Sequence, residues 1–294
     1  MMKKNQIDYL YRILFITPVA ILLAIFVLYP FLSSIYYSLT DWNGISKPNF
    51  IGLKNYKDLF EDTIFIQSLK NIFMLTFAGI LIMNPLSLIL AMLLCSKVIK
   101  GRTLLRTIFY IPTIISLVVI SNIWVIILAY DGILNNLLLW LNLEGLTTDW
   151  LGDYDKTIWV LLFIIIWQGM GNSIVFYMAG LGSIPAELNE AGDLDGVTLW
   201  TKFRHITVPL LMPTVTIVSF FQISGMLKLF DLPFIMTKGG PGNATLTPTM
   251  LIYNQAFQFN AAGYATTTGV VLMFIIIIIS FVQLKLTRSR EVEY

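Results

Sequence analysis

Ionisable side chains are scarce in this sequence. Asp, Glu, Lys and Arg make up 12% of its 294 residues, against about 25% in an average soluble domain. That shortage excludes a soluble globular enzyme, a nucleic-acid binder and a disordered chain. The formal net charge is +2, too small for a bulk pull towards nucleic acid. A single cysteine, Cys95, excludes a disulfide scaffold and a Cys-based metal cluster. A single histidine, His205, argues against a His-ligated metal. No Gly-Lys dipeptide occurs, so no P-loop is present to cradle the phosphates of ATP. A His-Glu-x-x-His zinc pattern and a Gly-x-Ser-x-Gly nucleophile elbow are missing too.

Apolar residues are what the sequence does have: 57% of the chain, with a mean hydropathy of +0.78. A helix needs about 20 apolar residues to cross a bilayer. Uncharged runs cover 13–40, 71–96, 107–130, 157–186, 205–227 and 239–284. The last opens on GGPGNATLTP, whose glycines and prolines disfavour a helix, so its span is nearer 263–284. The expected fold is therefore an all-α membrane protein with six transmembrane helices. The N-terminal run is too long for a signal peptide and lacks a small-residue cleavage site, so it reads as a retained first helix.

Twelve Lys and Arg fall in the N-terminus, the even-numbered connections and the C-terminus, against seven in the odd-numbered connections. This bias puts both termini in the cytoplasm of a multi-pass cell-membrane protein. The expected organisation is a cytoplasmic segment 1–12, a membrane domain 13–284 and a cytoplasmic tail 285–294. The acidic third connection, with Asp131, Glu144, Asp149, Asp153 and Asp155, should face outside.

The uncharged runs contain no Asp, Glu, Lys or Arg, which argues against ion coupling and against an intramembrane protease. They do carry amides. Asn122, Gln168 and Gln222 fall within roughly one or two turns of the expected midplane, at 1.5 Å per residue. Asn172 stands four residues after Gln168, on the same helical face. Trp124, Trp167 and Phe221 accompany them. Amides exchange hydrogen bonds with hydroxyls, and rings cover the C–H face of a sugar, so the set suits a neutral polyhydroxylated substrate. The same amides also serve as ties between helices. Both readings stand at this point.

The polar insertion 183–209 separates spans 4 and 5. Pro185 and Glu187 suit a first helical turn. Asp195-Gly196 ends that short helix, and Thr198 caps a second one bearing Leu199, Trp200 and Phe203. The acidic face of Glu187, Glu190, Asp193 and Asp195 fits a basic protein partner better than an anionic leaflet. Three smaller features complete the reading. Lys228 and Asp231, three apart, suggest a surface ion pair or, more sharply, a gate or sugar contact. Cys95 reads as a small buried residue, and Asn243-Ala-Thr245 as part of a glycine-permitted turn rather than a glycosylation site.

Glu190-Ala191-Gly192, Asp195-Gly196 and Ile206-Thr207-Val208-Pro209 resemble the EAA loop of binding-protein-dependent ABC importer permeases. Gly192 stands where that motif has its second alanine, and Val208 where it has leucine. Asn49–Phe60, Arg106–Pro112, Gly239–Thr245 and Ala262–Ala265 are similar to segments of the carbohydrate branch. The resemblance implies a type I importer architecture and a transport subunit rather than an enzyme. It also implies partners for this chain: a second, homologous permease, two cytoplasmic ATPase subunits that bind Mg-ATP, an extracytoplasmic solute-binding protein that delivers sugar, and membrane lipid, with no nucleic acid. Loop 183–209 would then be the coupling element, with Glu187, Glu190, Ala191, Gly192, Asp195 and Gly196 meeting the ATPase. The substrate, expected to be an oligosaccharide, would pass Asn122, Trp124, Gln168, Asn172, Phe221 and Gln222. The competing reading is a self-sufficient secondary carrier or facilitator.

Overall fold

The computed structural model describes residues 4–96 and 99–291, with side chains except at 4–13, Asn189, Gly192 and Asp193. Lys3 and Lys97 of the charge bias, and the last three residues of the tail, lie outside the described residues. The helices are α1 (Lys4–Leu23), α2 (Tyr29–Ser38), α3 (Lys54–Glu61), α4 (Thr63–Cys95) and α5 (Arg102–Ile114). They continue with α6 (Leu117–Leu128), α7 (Ile133–Trp140), α8 (Tyr154–Ser183), α9 (Ala186–Leu194) and α10 (Leu199–Lys202). The last four are α11 (Val208–Met226), α12 (Asp231–Met236), α13 (Pro248–Tyr253) and α14 (Ala262–Arg288). Among the described residues the β pairing is one bridge, Thr40 to Phe50.

Six stretches are long and apolar enough to span a membrane: Leu14–Ser38, Thr63–Cys95, Leu117–Trp140, Tyr154–Ser183, Leu199–Met236 and Ala262–Arg288. Three depart from the expected runs; the fifth extends beyond 205–227 on both sides and takes in Lys202, Arg204, Lys228 and Asp231. The second span begins at Thr63 instead of 71, because α4 starts before Lys70, whose side chain is exposed. The expected third run, 107–130, is two helices. Ile115 and Ser116 adopt extended ψ values of 137° and 135°, which ends α5 and starts α6 at Leu117.

The chain forms two compact units: residues up to Asp62 with Leu251–Leu272, and Thr63–Met250 with the residues from Met273 onward. In the first, the carbonyls that end α2 are taken up by side chains from elsewhere. Asn55 donates to the Ser38 and Thr40 carbonyls at 3.0 and 2.8 Å, and Thr267 donates to the Ser38 carbonyl at 2.9 Å. Gly263 lies against the Thr40 carbonyl, where a Cβ would collide. Tyr264 then donates to Asp62 Oδ2 at 2.9 Å.

In the second unit α4, α8 and α11 pack around Leu75, Met83, Leu161, Ile164, Ile174 and Leu211. Lipid tails are as apolar as leucine, so close packing and polar ties hold such helices more than burial does. Small residues permit that packing. A Cβ at Gly79 would sit 2.6 Å from Met226 Cε, and one at Gly180 would collide with Thr214.

Candidate functional site

A cleft of about 590 Å³ opens between α8 and α11, with Met83 of α4 and Leu117 of α6 in its wall. It brings together four of the residues picked from sequence: Gln168, Asn172, Phe221 and Gln222. Ser173 and Phe176 line it as well. The α8 members recur at helical spacing, which puts them on one stripe. Gln222 is 9% exposed and its Nε2 donates to Ser173 Oγ at 2.9 Å. Its Oε1 has no hydrogen-bond partner among the described residues. Phe176 and Phe221 stack with ring centroids 6.0 Å apart and planes at 23°, and both rings are exposed. No ionisable side chain lines this cleft.

One turn nearer the 183–209 connection lies a second polar layer. Tyr177, fully buried, donates to Asn84 Oδ1 at 2.7 Å, and Asn84 Nδ2 donates to Ser219 Oγ at 3.2 Å. Sequence reasoning missed Ser173, Tyr177 and Asn84. The available signal was spacing: Ser173 and Tyr177 are four apart beside Asn172, and Asn84 is an amide inside an uncharged run.

Asn122 and Trp124 lie elsewhere. Asn122 is exposed and donates to the Val118 carbonyl of its own helix at 2.7 Å. Trp124 lines a separate cavity of about 370 Å³ with Trp150, Trp159 and Phe163. Its ring meets those of Trp167 and Phe163 edge-on, at 5.6 and 5.8 Å. At 100° per residue, Phe163 and Trp167 point away from Asn172 and Phe176 on α8. Shared depth grouped these residues in the sequence; the break at Ile115-Ser116 restarts the helical phase, and depth alone does not fix facing.

The connection folds as one short helix, α9, and a bend; the expected second short helix, α10, instead continues through a π-helical turn at Phe203–Thr207 into α11. Gly196 has φ +68°, a conformation that suits glycine, and open space surrounds the position of a Cβ. Thr198 caps α10 by accepting from the Thr201 N–H at 3.2 Å. Glu187, Glu190, Ala191 and Asp195 are exposed; the backbone of Gly192 is within α9, and the Asp193 side chain lies outside those described. Leu194, Leu199 and Trp200 are 89%, 87% and 66% exposed. Apolar groups so far out, beside carboxylates, make this a sticky projecting surface.

Two sequence readings need correction. Lys228 and Asp231 form no ion pair. Lys228 lies in the turn after α11 and Asp231 begins α12, so the two do not share one helix's i, i+3 geometry. Cys95 is half-buried, at the end of α4. The Gly239–Thr245 segment does turn through positive φ, at Gly239, Gly242 and Asn243. Asn71 fastens it by donating to the Asn243 and Leu246 carbonyls at 2.8 and 3.0 Å. Among the described residues no group of three or more His, Cys, Asp or Glu comes together.

Residues 83–291 match the family of binding-protein-dependent transport system inner membrane components. The chain belongs to this family, and is a multi-pass permease subunit of an ABC transporter rather than an enzyme. It is 38% identical over 282 residues to the probable starch degradation products transport system permease protein AmyD of Thermoanaerobacterium thermosulfurigenes, covering 95% of this chain and 94% of that one. To the lactose transport system permease protein LacF of Rhizobium radiobacter it is 34% identical, over 95% and 94% of the two chains. To the arabinooligosaccharides transport system permease protein AraP of Bacillus subtilis it is 31% identical, over 94% and 88%. Its fold is similar to a chain of a bacterial ABC transporter involved in import of the acidic polysaccharide alginate, with TM-score 0.83 and 23% identity over 97% and 99% of the chains. Membership of a binding-protein-dependent family sets aside the self-sufficient carrier.

Proposed function

We propose that this chain forms one half of the path of an ATP-driven importer of neutral oligosaccharides. The observation that carries the proposal is the α8/α11 cleft. Its wall holds amides, one acceptor with nothing to accept from and a two-ring aromatic stack, and no charge. A sugar hydroxyl can donate to such an acceptor, and a pyranose C–H face can lie on the rings. The starch-product, lactose and arabinooligosaccharide systems of the relatives support a saccharide.

The chain contains no P-loop, so the energy must come from elsewhere. In this reading Mg-ATP is bound by two ATPase subunits, a second permease completes the path, and a solute-binding protein delivers the sugar outside. Loop 183–209 seats on the ATPase: Glu190 faces a cation there, and Leu199 and Trp200 enter an apolar seat. Both termini and this loop lie in the cytoplasm. α8 and α11 run directly from the loop to the cleft, so a push on the loop reaches the cleft through two helices tied by Ser173–Gln222 and Tyr177–Asn84–Ser219.

The test is reconstitution with the neighbouring operon products, with a panel of neutral and acidic oligosaccharides. Neutral sugars are expected to stimulate ATP hydrolysis and to accumulate inside vesicles. Transport by the chain alone, or equal handling of uronate oligosaccharides, would overturn the reading. Cysteines at Asn142 and Asp153 should react with an impermeant reagent from outside, and cysteines at Lys100 and Glu190 only after lysis.

A further inference from the structure

A second groove, of about 270 Å³, runs between α5 and α8 on a side of α8 away from the cleft. Its walls include Tyr110, Ile111, Ile114, Val175 and Met178, and Arg106 stands at one end. Ile111, Ile114 and Val175 are 47%, 69% and 49% exposed, so the groove is open along its length. α5 is held against α8 beside it. Thr113 donates to the Gln168 carbonyl at 2.8 Å, and Gly171 leaves room for the Phe109 carbonyl, 2.6 Å from where a Cβ would be.

Arg106 is the unusual member. It is half-buried, and Nη2 donates to the Leu94 carbonyl at 2.8 Å, close to the end of α4. Nε is buried with no hydrogen-bond partner among the described residues. No carboxylate lines the groove, and the stretch 96–106 contains four basic residues and no acid. The uncharged run begins at Thr107, so Arg106 is the last charged residue before α5 turns apolar. From Arg106 to Ile114 the helix rises about 12 Å. One end of the groove thus offers a cation, and the rest offers hydrocarbon.

We propose that this groove binds an anionic phospholipid. The phosphate pairs with the guanidinium of Arg106 at the end of the groove, whose planar fork suits phosphate oxygens. An acyl chain lies along Ile111, Ile114 and Val175. Basic pockets between membrane helices take anionic headgroups by the same physics. A free phosphate would leave the apolar wall uncovered. The site owes nothing to the sugar reading, and its test uses neither sugar nor ATP.

The experiment purifies the assembly containing this chain from its membrane, counts bound phosphatidylglycerol and phosphatidylcholine by mass spectrometry, and measures the melting temperature with each lipid added. Phosphatidylglycerol is expected to co-purify and to raise the melting temperature, and phosphatidylcholine to do neither. Arg106→Gln keeps a donor for Leu94 and should weaken phosphatidylglycerol binding about tenfold or more. Val175→Trp fills the groove, leaves Arg106 in place and should weaken it likewise. It carries the test where Arg106→Gln does not assemble. Lys100→Gln, an exposed neighbour, should change binding less than about threefold. Equal retention by Val175→Trp and wild type, equal effects of the two lipids, stabilisation by inorganic phosphate alone, or no lipid on the wild-type assembly would overturn the proposal.

Discussion

The 183–209 connection and the α8/α11 cleft are both polar interruptions of an apolar chain, yet they are assembled in opposite ways. The connection is local. Its cap, its bend and the Thr201–His205 contact involve residues within four positions of one another. The cleft and the layer beneath it join residues 49, 93 and 135 positions apart. The connection turns apolar groups outward, and the cleft turns amides inward. A surface made for a partner can therefore be written in one contiguous stretch, whereas a path for substrate needs several helices to converge.

The comparison is most easily broken at the connection. Gly196→Val forces a β-branched residue into positive φ, and Glu190→Lys reverses a charge. Both variants should insert normally. Loss of one member of a buried charge pair typically costs about 2–5 kcal/mol, so co-purification with the ATPase should fall by tens- to thousands-fold. Wild-type association of both variants would remove the coupling role.

The cleft should respond less. Gln222→Leu and Gln168→Leu are expected to lower sugar-stimulated transport by the equivalent of about 1–3 kcal/mol, with assembly intact. Variants that fail to assemble while the survivors transport normally would make these amides helix ties. Smaller again is the effect of residues outside the cleft. Asn122→Leu should change transport less than about twofold, and Trp124→Leu should lower stability by about 0.5–1.5 kcal/mol through lost ring contacts. A transport defect in Asn122→Leu as large as that of Gln222→Leu would return Asn122 to the path.

The smallest expected effect concerns the cap of α8. Asp153 accepts from the Asp155 and Lys156 N–H groups and lies 2.9 Å from Lys156 Nζ. The hydrogen bond from Lys156 is the main cause holding its carboxyl below the ordinary value. A depressed value contributes stability in full above the unfolded pKa of about 3.9, and that contribution is lost as pH falls through the lower folded value. Amide exchange in the first turn of α8, corrected for the pH dependence of intrinsic exchange, should be flat from neutral pH to about 4 and rise below it. Asp153→Asn should keep the cap and flatten that rise.

What could be read from sequence divides along the same line. The number of spans, the Gly196 bend, the Thr198 cap and the Gly239–Thr245 turn depend on local chemistry and are as expected, whereas the bounds of the second, third and fifth spans are not. Facing was not legible. Asn122 and Gln168 share a depth, but two extended residues at 115–116 decide that they point to different places. Lys228 and Asp231 share a spacing, but Lys228 lies in the turn after α11 and Asp231 starts α12. Tyr177 and Asn84 meet across 93 residues, a pairing that no local pattern announces.

Gln222 also bears on how this protein can be altered. An acceptor with no partner among the described residues costs about 1–3 kcal/mol wherever neither water nor ligand supplies a donor. Leucine at this position removes it. Selection for heat tolerance alone should therefore favour Gln222→Leu, and selection for growth on the transported sugar should reverse it. The residue sits where robustness and activity are in direct opposition. A stabilised variant of this chain should be screened for transport first at position 222.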